Sequence, residues 1–288
     1  MASVIDAFLD YAIRRDAEST YYERKLYLQK FADVHGGRLV RDCRPYHLTS
    51  WVDDHPTWRS DWTKSYAIRN VKRPFNWAKR QGLIAANPFA DVEHRPGDRR
   101  RPMTDVEFNA LLKNAGRDSR LGEALQFMAA TGCRPCELRR LSWSEVDLES
   151  GLATIVQHKT SRTRKDRKPR LIVLIPTCVA LLKRIRKSQQ GGEHVFLSQR
   201  GRPWARCSLQ QALRRLRRVL KLPDDVFLYG LRHRFGTNSV KGGNDLKSTA
   251  ELLGHATTRM TEHYVHLAGD LAHLRSAMQR AARSRKGA

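Results

Sequence analysis

One stretch of twelve residues divides this chain. Residues 91–102, DVEHRPGDRRRP, are polar, contain two prolines and a glycine, and are rich in arginine. Such a stretch reads as a linker. Directly behind it, Thr104-Asp105-Val106-Glu107 forms a capping box, followed by Phe108, Leu111 and Leu112 at helical spacing. A helix that starts so sharply marks a boundary. The chain is therefore expected to fold as two domains, residues 1–90 and 103–288, joined by 91–102.

Residues 1–90 read as helical. Ile5, Phe8, Leu9 and Ile13 fall near helical spacing, as do Leu28, Phe31 and Val34, and His35-Gly36-Gly37 stops the second helix. A third helix is predicted over 46–54 and a fourth over 65–80. Pro74 falls inside the fourth, so a kink or break is expected there. Its other positions hold Arg69, Lys72, Arg73, Lys79 and Arg80, a basic face on an apolar base. That face is either solvated or pressed onto phosphates.

The second domain opens with predicted helices at 104–115, 120–131 and 135–141. Ala153–Val156 and Leu171–Leu174 are apolar and partly β-branched, and the basic run HKTSRTRKDRKPR separates them. They predict a β-hairpin with a long, charged connection. Further helices are predicted near 177–187, 208–220, 230–240, 247–253 and 258–267. Leu271, Leu274 and Met278 keep helical spacing in the tail. The fold class is mainly α with a small antiparallel β-sheet.

Charge narrows the partners. Lys plus Arg total 54 against 29 Asp plus Glu, a net +25 on a chain that is 40% hydrophobic. A folded chain with that excess repels itself and calls for a polyanion, of which nucleic acid is the usual one. An anionic membrane surface would answer the same charge. No apolar run approaches the ~20 residues that span a bilayer. The N-terminus, MASVIDAFLDYAIRR, carries acids and shows no secretion signal. A cytoplasmic protein is expected.

Cysteines stand at 43, 133, 136, 178 and 207, an odd count with scattered spacing that argues against a disulfide framework. Cys133 and Cys136 make a C-x-x-C. Zinc would need a second ligand pair, for which His263-x-x-His266 is the sole candidate. A redox motif would follow a strand, and here a helix precedes. Packing in a core is the simpler reading, and no metal site is expected.

Four short segments carry candidate chemistry. In TGCRPCEL, Gly132 ends one helix and Pro135 suits the first turn of the next, so Arg134 sits at a helix N-terminus and shares a face with Glu137. HKTS places Lys159 at the start of the hairpin connection. LYGLRH places Arg232 and His233 near another helix start. In LLGHATTRMTEHYVH, Tyr264 lies nine residues after His255. On one straight helix they would face opposite ways, but the Gly254 stop and a Thr257/Thr258 cap allow a bend. Taken singly, each segment is what a solvated charge or a half-buried ring would produce.

Taken in order, they resemble the tyrosine recombinase (phage integrase) family. That family shows T-G-x-R-x-x-E-L, a lysine on a β-hairpin, H/K-x-L-R-H, L-L-G-H, and a tyrosine nine residues beyond that histidine. The resemblance covers residues 103–267 and, by general pattern, the helical residues 1–90. It implies a helical core-binding domain plus a mixed α/β catalytic domain. It also implies DNA strand breakage and rejoining without metal or other cofactor, which fits the lack of a carboxylate cluster in the sequence. Carried over residue by residue, Arg134 and Arg232 clamp the scissile phosphate. Tyr264 attacks it to give a 3′-phosphotyrosyl link, and Lys159 protonates the leaving 5′-oxygen. His255 bonds the phosphate or positions the tyrosine's proton, with Glu137 and His233 as supports. One position departs: Tyr229 stands where the family has His or Lys. Its hydroxyl can donate a hydrogen bond but carries no positive charge near neutral pH.

The remaining charge is expected on double-stranded DNA carrying recombination sites. Arg69, Lys72, Arg73, Arg99, Arg100, Arg101, Arg162, Arg164 and Lys165 are the first candidates. The rest of the run 161–170, Lys183, Arg184, Arg186 and Lys187, and Arg214, Arg215, Arg217, Arg218 and Lys221 are further ones. Such contacts give affinity and salt dependence but little sequence preference. The two domains would form a clamp, as a dimer on each site and a tetramer in synapsis, with the final helix docking on a neighbour. A nucleoid location follows, and no membrane partner. A type IB topoisomerase shares the catalytic set, and a non-catalytic DNA-binding relic is the remaining alternative.

Overall fold

The structure is a computed structural model and describes residues 1–93, 101–116, 119–155, 169–189, 191–262 and 264. The chain divides into two compact units, Met1–Arg99 and Arg100–Ala288.

The first unit consists of α1 (Ala2–Ile13), α2 (Glu18–His35), α3 (Pro45–Asp53) and α4 (Asp61–Arg80), with a 3-10 turn at Val40–Asp42. All three other helices pack on α4. Ile5, Phe8, Leu28, Phe31, Leu48, Val71, Phe75 and Phe89 fill the centre. Ile13 and Val34 were expected on the inner stripes and are exposed instead. In α1, Ala12 takes the inward place one residue earlier, and the next step of 100° turns Ile13 outward. Ser60 caps α4, its Oγ accepting from the Thr63 N–H at 3.2 Å. The helix does not break at Pro74 but runs on to Arg80. An interior proline costs about 3 kcal/mol. The fully buried Val71 and Phe75 contribute about 1.5–3 kcal/mol each, enough to hold the flanking turns together.

The second unit contains α5 (Asp105–Ala115), α6 (Arg120–Thr131), α7 (Pro135–Arg140), β1 (Val146–Asp147), β2 (Leu152–Ile155), β3 (Arg170–Val173), α8 (Pro176–Ser188), α9 (Ser208–Val219), α10 (Leu228–Lys241) and α11 (Leu246–Leu253), with 3-10 turns at Trp143–Glu145 and Thr258–Met260. Helix α6 packs on α5, α7, α8, α9 and α10. Leu125, Phe127 and Met128 of α6 join Leu182, Ile185, Leu213 and Leu231 in one core. The strands form an antiparallel sheet in the order β1-β2-β3, pairing Ala153 with Ile172 and Ile155 with Arg170. Strand β1 has two residues, too few for any alternation to signal it.

The capping box at Thr104 forms as expected: Glu107 Oε2 accepts from the Thr104 N–H at 2.8 Å, and Thr104 Oγ1 from the Glu107 N–H at 3.2 Å. Helix α10 begins two residues before the predicted start. Gln210, from α9, accepts the Leu228 N–H at 3.2 Å and caps a turn that lacks a local cap. Helices α6 and α11 both end on a left-handed glycine, Gly132 and Gly254. The chain leaves α11 there, which frees His255 and Tyr264 from a common helix axis.

Candidate active site

Arg134 occupies the N-cap of α7, with Pro135 at the first helical position. Glu137 answers it twice. Its Oε2 accepts the Arg134 backbone N–H at 2.8 Å, and its Oε1 accepts Arg134 Nη1 at 2.5 Å. Arg134 Nη2 donates to the Gly254 carbonyl at 3.1 Å. Arg232, one turn into α10 and 1% exposed, donates from Nη1 to the Gly132 carbonyl at 2.8 Å and from Nη2 to the Leu253 carbonyl at 2.7 Å. Both acceptors lie at helix C-termini, the negative ends of the helix dipoles. Three of these hydrogen bonds, from Arg134 to Gly254 and from Arg232 to Gly132 and Leu253, stitch TGCR, LRH and LLGH together.

Tyr264 is 1% exposed. Its hydroxyl lies 3.3 Å from His233 Nδ1. Its ring runs nearly parallel to that of His255, with centroids 6.4 Å apart. His255 Nδ1 is in turn 2.7 Å from Thr261 Oγ1. The bend after Gly254 therefore brings His255 and Tyr264 together. A further residue makes room for the tyrosine. A Cβ on Gly236 of α10 would approach Tyr264 Cε2 to 2.5 Å. The sequence did carry a signal for it, a glycine inside a helix interior, where alanine is favoured by about 1 kcal/mol.

Tyr229 stands in the first turn of α10, half-exposed, its ring 5.8 Å from that of His233. It stands close enough to the Arg134 guanidinium to favour its charge. Tyr229 thus borders the cluster beside Arg134 and His233 and brings no positive charge of its own.

Electrostatics divide these groups. Burial works against the charge of Arg134, but Glu137 and then Tyr229 outweigh it and hold the pKa above its ordinary value. Arg232 is pulled down to about 10, by burial first and then by Arg134. Glu137 stays below the usual carboxylate range because Arg170 and Arg134 overcome its burial. Burial pushes Tyr264 up to about 12, against the opposing pull of Arg232 and Arg134. Arg134, Arg170 and Arg232 are all buried, and among the described residues one carboxylate, Glu137, pairs with Arg134 and Arg170. The pocket therefore holds surplus positive charge beside a tyrosine hydroxyl, the setting of an anion site.

Several expected DNA contacts are placed differently. Arg101 lies in a half-buried ion-pair cluster: Nη1 and Nη2 grip Glu107 at 2.9 and 2.6 Å, while Nε and Nη2 grip Asp225 at 2.6 and 2.8 Å. Two carboxylates already satisfy its charge. Arg217 is buried on Asp224, with the Asp224 and Val226 carbonyls as further acceptors. Lys72 Nζ donates to the Ala90 and Val92 carbonyls at 2.6 and 2.9 Å and ties down the end of its own unit. Arg170, expected along DNA with the basic run, is 5% exposed and bonded to Glu137. Arg69 and Arg73 remain exposed one turn apart on α4. Lys159, Arg99, Arg100, Arg162, Arg164, Lys165 and the tail with Leu271, Leu274 and Met278 lie outside the described residues. The C-x-x-C pair is reduced, and burial pushes Cys133 up to about 12. Among the described residues, no group of three or more His, Cys, Asp or Glu is gathered for a metal ion. No described helix is long and apolar enough to cross a membrane.

The helical unit and the arginine-tyrosine site define a DNA-integrase type of architecture. The fold matches a lambda integrase fragment, residues 75–356, solved as a dimer bound to a COC′ core site, with TM-score 0.74 and 20% identity over 90% of this chain and 96% of that one. In sequence, tyrosine recombinase XerC of Alcanivorax borkumensis is 30% identical over 228 residues, which cover 76% of this chain and 73% of the relative. Tyrosine recombinase XerC of Xanthomonas axonopodis pv. citri is 28% identical over 207 residues, 69% of this chain and 65% of the relative's length. Residues 101–270 match the model of the phage integrase family, and the chain belongs to that family.

Proposed function

We propose that this chain is a site-specific DNA recombinase that cuts and rejoins strands through a 3′-phosphotyrosyl intermediate on Tyr264. The observation that carries the reading is the Tyr264 hydroxyl held at His233 in a pocket with surplus arginine charge. Arg134 and Arg232 clamp the non-bridging oxygens of the scissile phosphate, supplying the negative charge's missing counterpart as it builds during in-line attack. As the phenolic oxygen bonds to phosphorus, its proton passes to His233 and the bond from phosphorus to the 5′-oxygen breaks. Lys159, on the connection between β2 and β3, gives the departing oxygen its proton. His255, oriented by Thr261, holds the tyrosine ring and meets the phosphate. Attack by a 5′-hydroxyl of another strand reverses the chemistry and completes recombination.

The same reading makes residues 1–90 a core-binding domain and 103–288 the catalytic domain. Both bind double-stranded DNA, with the chain as a dimer on each site and a tetramer in synapsis, at the nucleoid. The lambda integrase fragment, solved as a dimer on its core site, supports that assembly by shared fold.

The test uses nicked duplexes drawn from the DNA flanking the gene, so that the cleaved strand loses its short end and cannot be rejoined. Wild type should give a covalent adduct on denaturing gels. Tyr264→Phe should bind the same duplex and give none. An adduct with Tyr264→Phe, or none with wild type on any flanking duplex, would remove the proposal.

A further inference from the structure

Arg170 is the first residue of β3 and the last of a long basic run. Strand alternation turns it inward with Ile172, so it leaves the basic surface and enters the core beside the site. There it makes two sets of contacts. Nε donates to Glu137 Oε2 at 3.3 Å. Nη2 donates to the Leu252 carbonyl at 2.9 Å, and Nη1 to the Glu251 carbonyl at 3.5 Å. The guanidinium also fills the space against Gly254, where any Cβ would collide with it.

We propose that Arg170 is a positioning residue for DNA cleavage, fixing Arg134 through Glu137 and fixing the turn that carries His255. Glu137 Oε2 receives both Arg170 and the Arg134 backbone N–H, which leaves Oε1 aimed at the Arg134 side chain. The carbonyls that Arg170 holds come just before Gly254, whose own carbonyl accepts Arg134 Nη2. One guanidinium therefore sets Arg134 from both sides. Its forked, planar donors reach a carboxylate and a helix C-terminus together, which a single ammonium cannot do. Burial opposes the Arg170 charge and Glu137 supports it, so the residue is held at a cost that a surface arginine would not bear. This inference rests on the recombinase reading, because it treats Arg134 as the phosphate clamp.

Arg170→Met and Arg170→Lys test it on the cleaved flanking site; the lysine variant keeps a charge beside Glu137 and guards against simple misfolding. Both should keep DNA binding and a cooperative melt, and cleave about 100-fold more slowly than wild type. The revealing comparison replaces the scissile phosphate by a neutral methylphosphonate, which leaves Arg134 no full anion to clamp. On that substrate the deficit should shrink below about tenfold. Variants that cleave the phosphodiester within about threefold of wild type would overturn the proposal, as would a deficit unchanged on the methylphosphonate. Failure of wild type to form any adduct would instead strike the recombinase reading itself.

Discussion

Two arginine–glutamate pairs in the same unit, Arg101–Glu107 and Arg134–Glu137, differ in what surrounds them. Arg101 meets two carboxylates, Glu107 and Asp225, and its pKa is raised by both. Glu107, in turn, is held down to about 2, chiefly by Arg101. Charge is balanced there, and the cluster locks the start of α5 to the segment before α10. Around Glu137 the ratio inverts among the described residues, with Arg134 and Arg170 on one carboxylate and Arg232 on backbone carbonyls. A balanced cluster holds a fold. An unbalanced one waits for an anion.

The largest expected effect separates the two directly. Arg232→Met should slow covalent-adduct formation by about 100- to 1,000-fold with DNA binding retained. Arg101→Met should leave cleavage per folded molecule unchanged but lose charge-assisted hydrogen bonds. Its thermal midpoint should fall by roughly 3–6 °C, the shift of about 1–2 kcal/mol in a unit of this size. If Arg101→Met instead reduced cleavage with no change in melting, the balanced cluster would belong to the site.

A pH series sharpens the same contrast. The folded pKa of Glu107 lies near 2, below its ordinary 4.5. Its stabilisation is therefore complete above about pH 4.5 and lost as pH falls toward 2. Melting midpoints of wild type and Glu107→Gln should converge across that window. A gap that stays constant through it would mean that the Glu107 charge does not stabilise the fold.

The smallest expected effects concern the α4 face. Arg69→Ala and Arg73→Ala should each reduce the salt slope of DNA binding by about 1. Lys72→Met should not change the slope, because its ammonium is spent on the Ala90 and Val92 carbonyls. It should instead speed hydrogen exchange or proteolysis near residues 87–92. A slope change for Lys72→Met would place it on phosphate after all.

These contrasts also show what the sequence could reveal. Helices with strong stripes and caps, such as α5 and α6, were legible almost to the residue because their signals are local. The order TGCR, LRH, LLGH and tyrosine was legible as well, and the structure brings Arg134, Arg232, His255 and Tyr264 together around it. Surface and interior arginines could not be told apart by composition. Arg101, Arg170 and Arg217 sit in basic runs, yet Arg101 and Arg170 find partners far along the chain and Arg217 finds Asp224 and Val226 across the turn that follows its helix. Only the strand register Arg170, Ile172, Leu174 hinted at an inward turn. The start of α10 depended on Gln210, a cap supplied by another helix, and no local pattern encodes that.

The most direct measurement is to digest the trapped protein–DNA adduct and identify the modified peptide by mass spectrometry. Two tyrosines, Tyr229 and Tyr264, stand at the arginine pocket. The account predicts the nucleotide on Tyr264, with Tyr229 unmodified. A nucleotide found on Tyr229, or on any residue other than Tyr264, would contradict it.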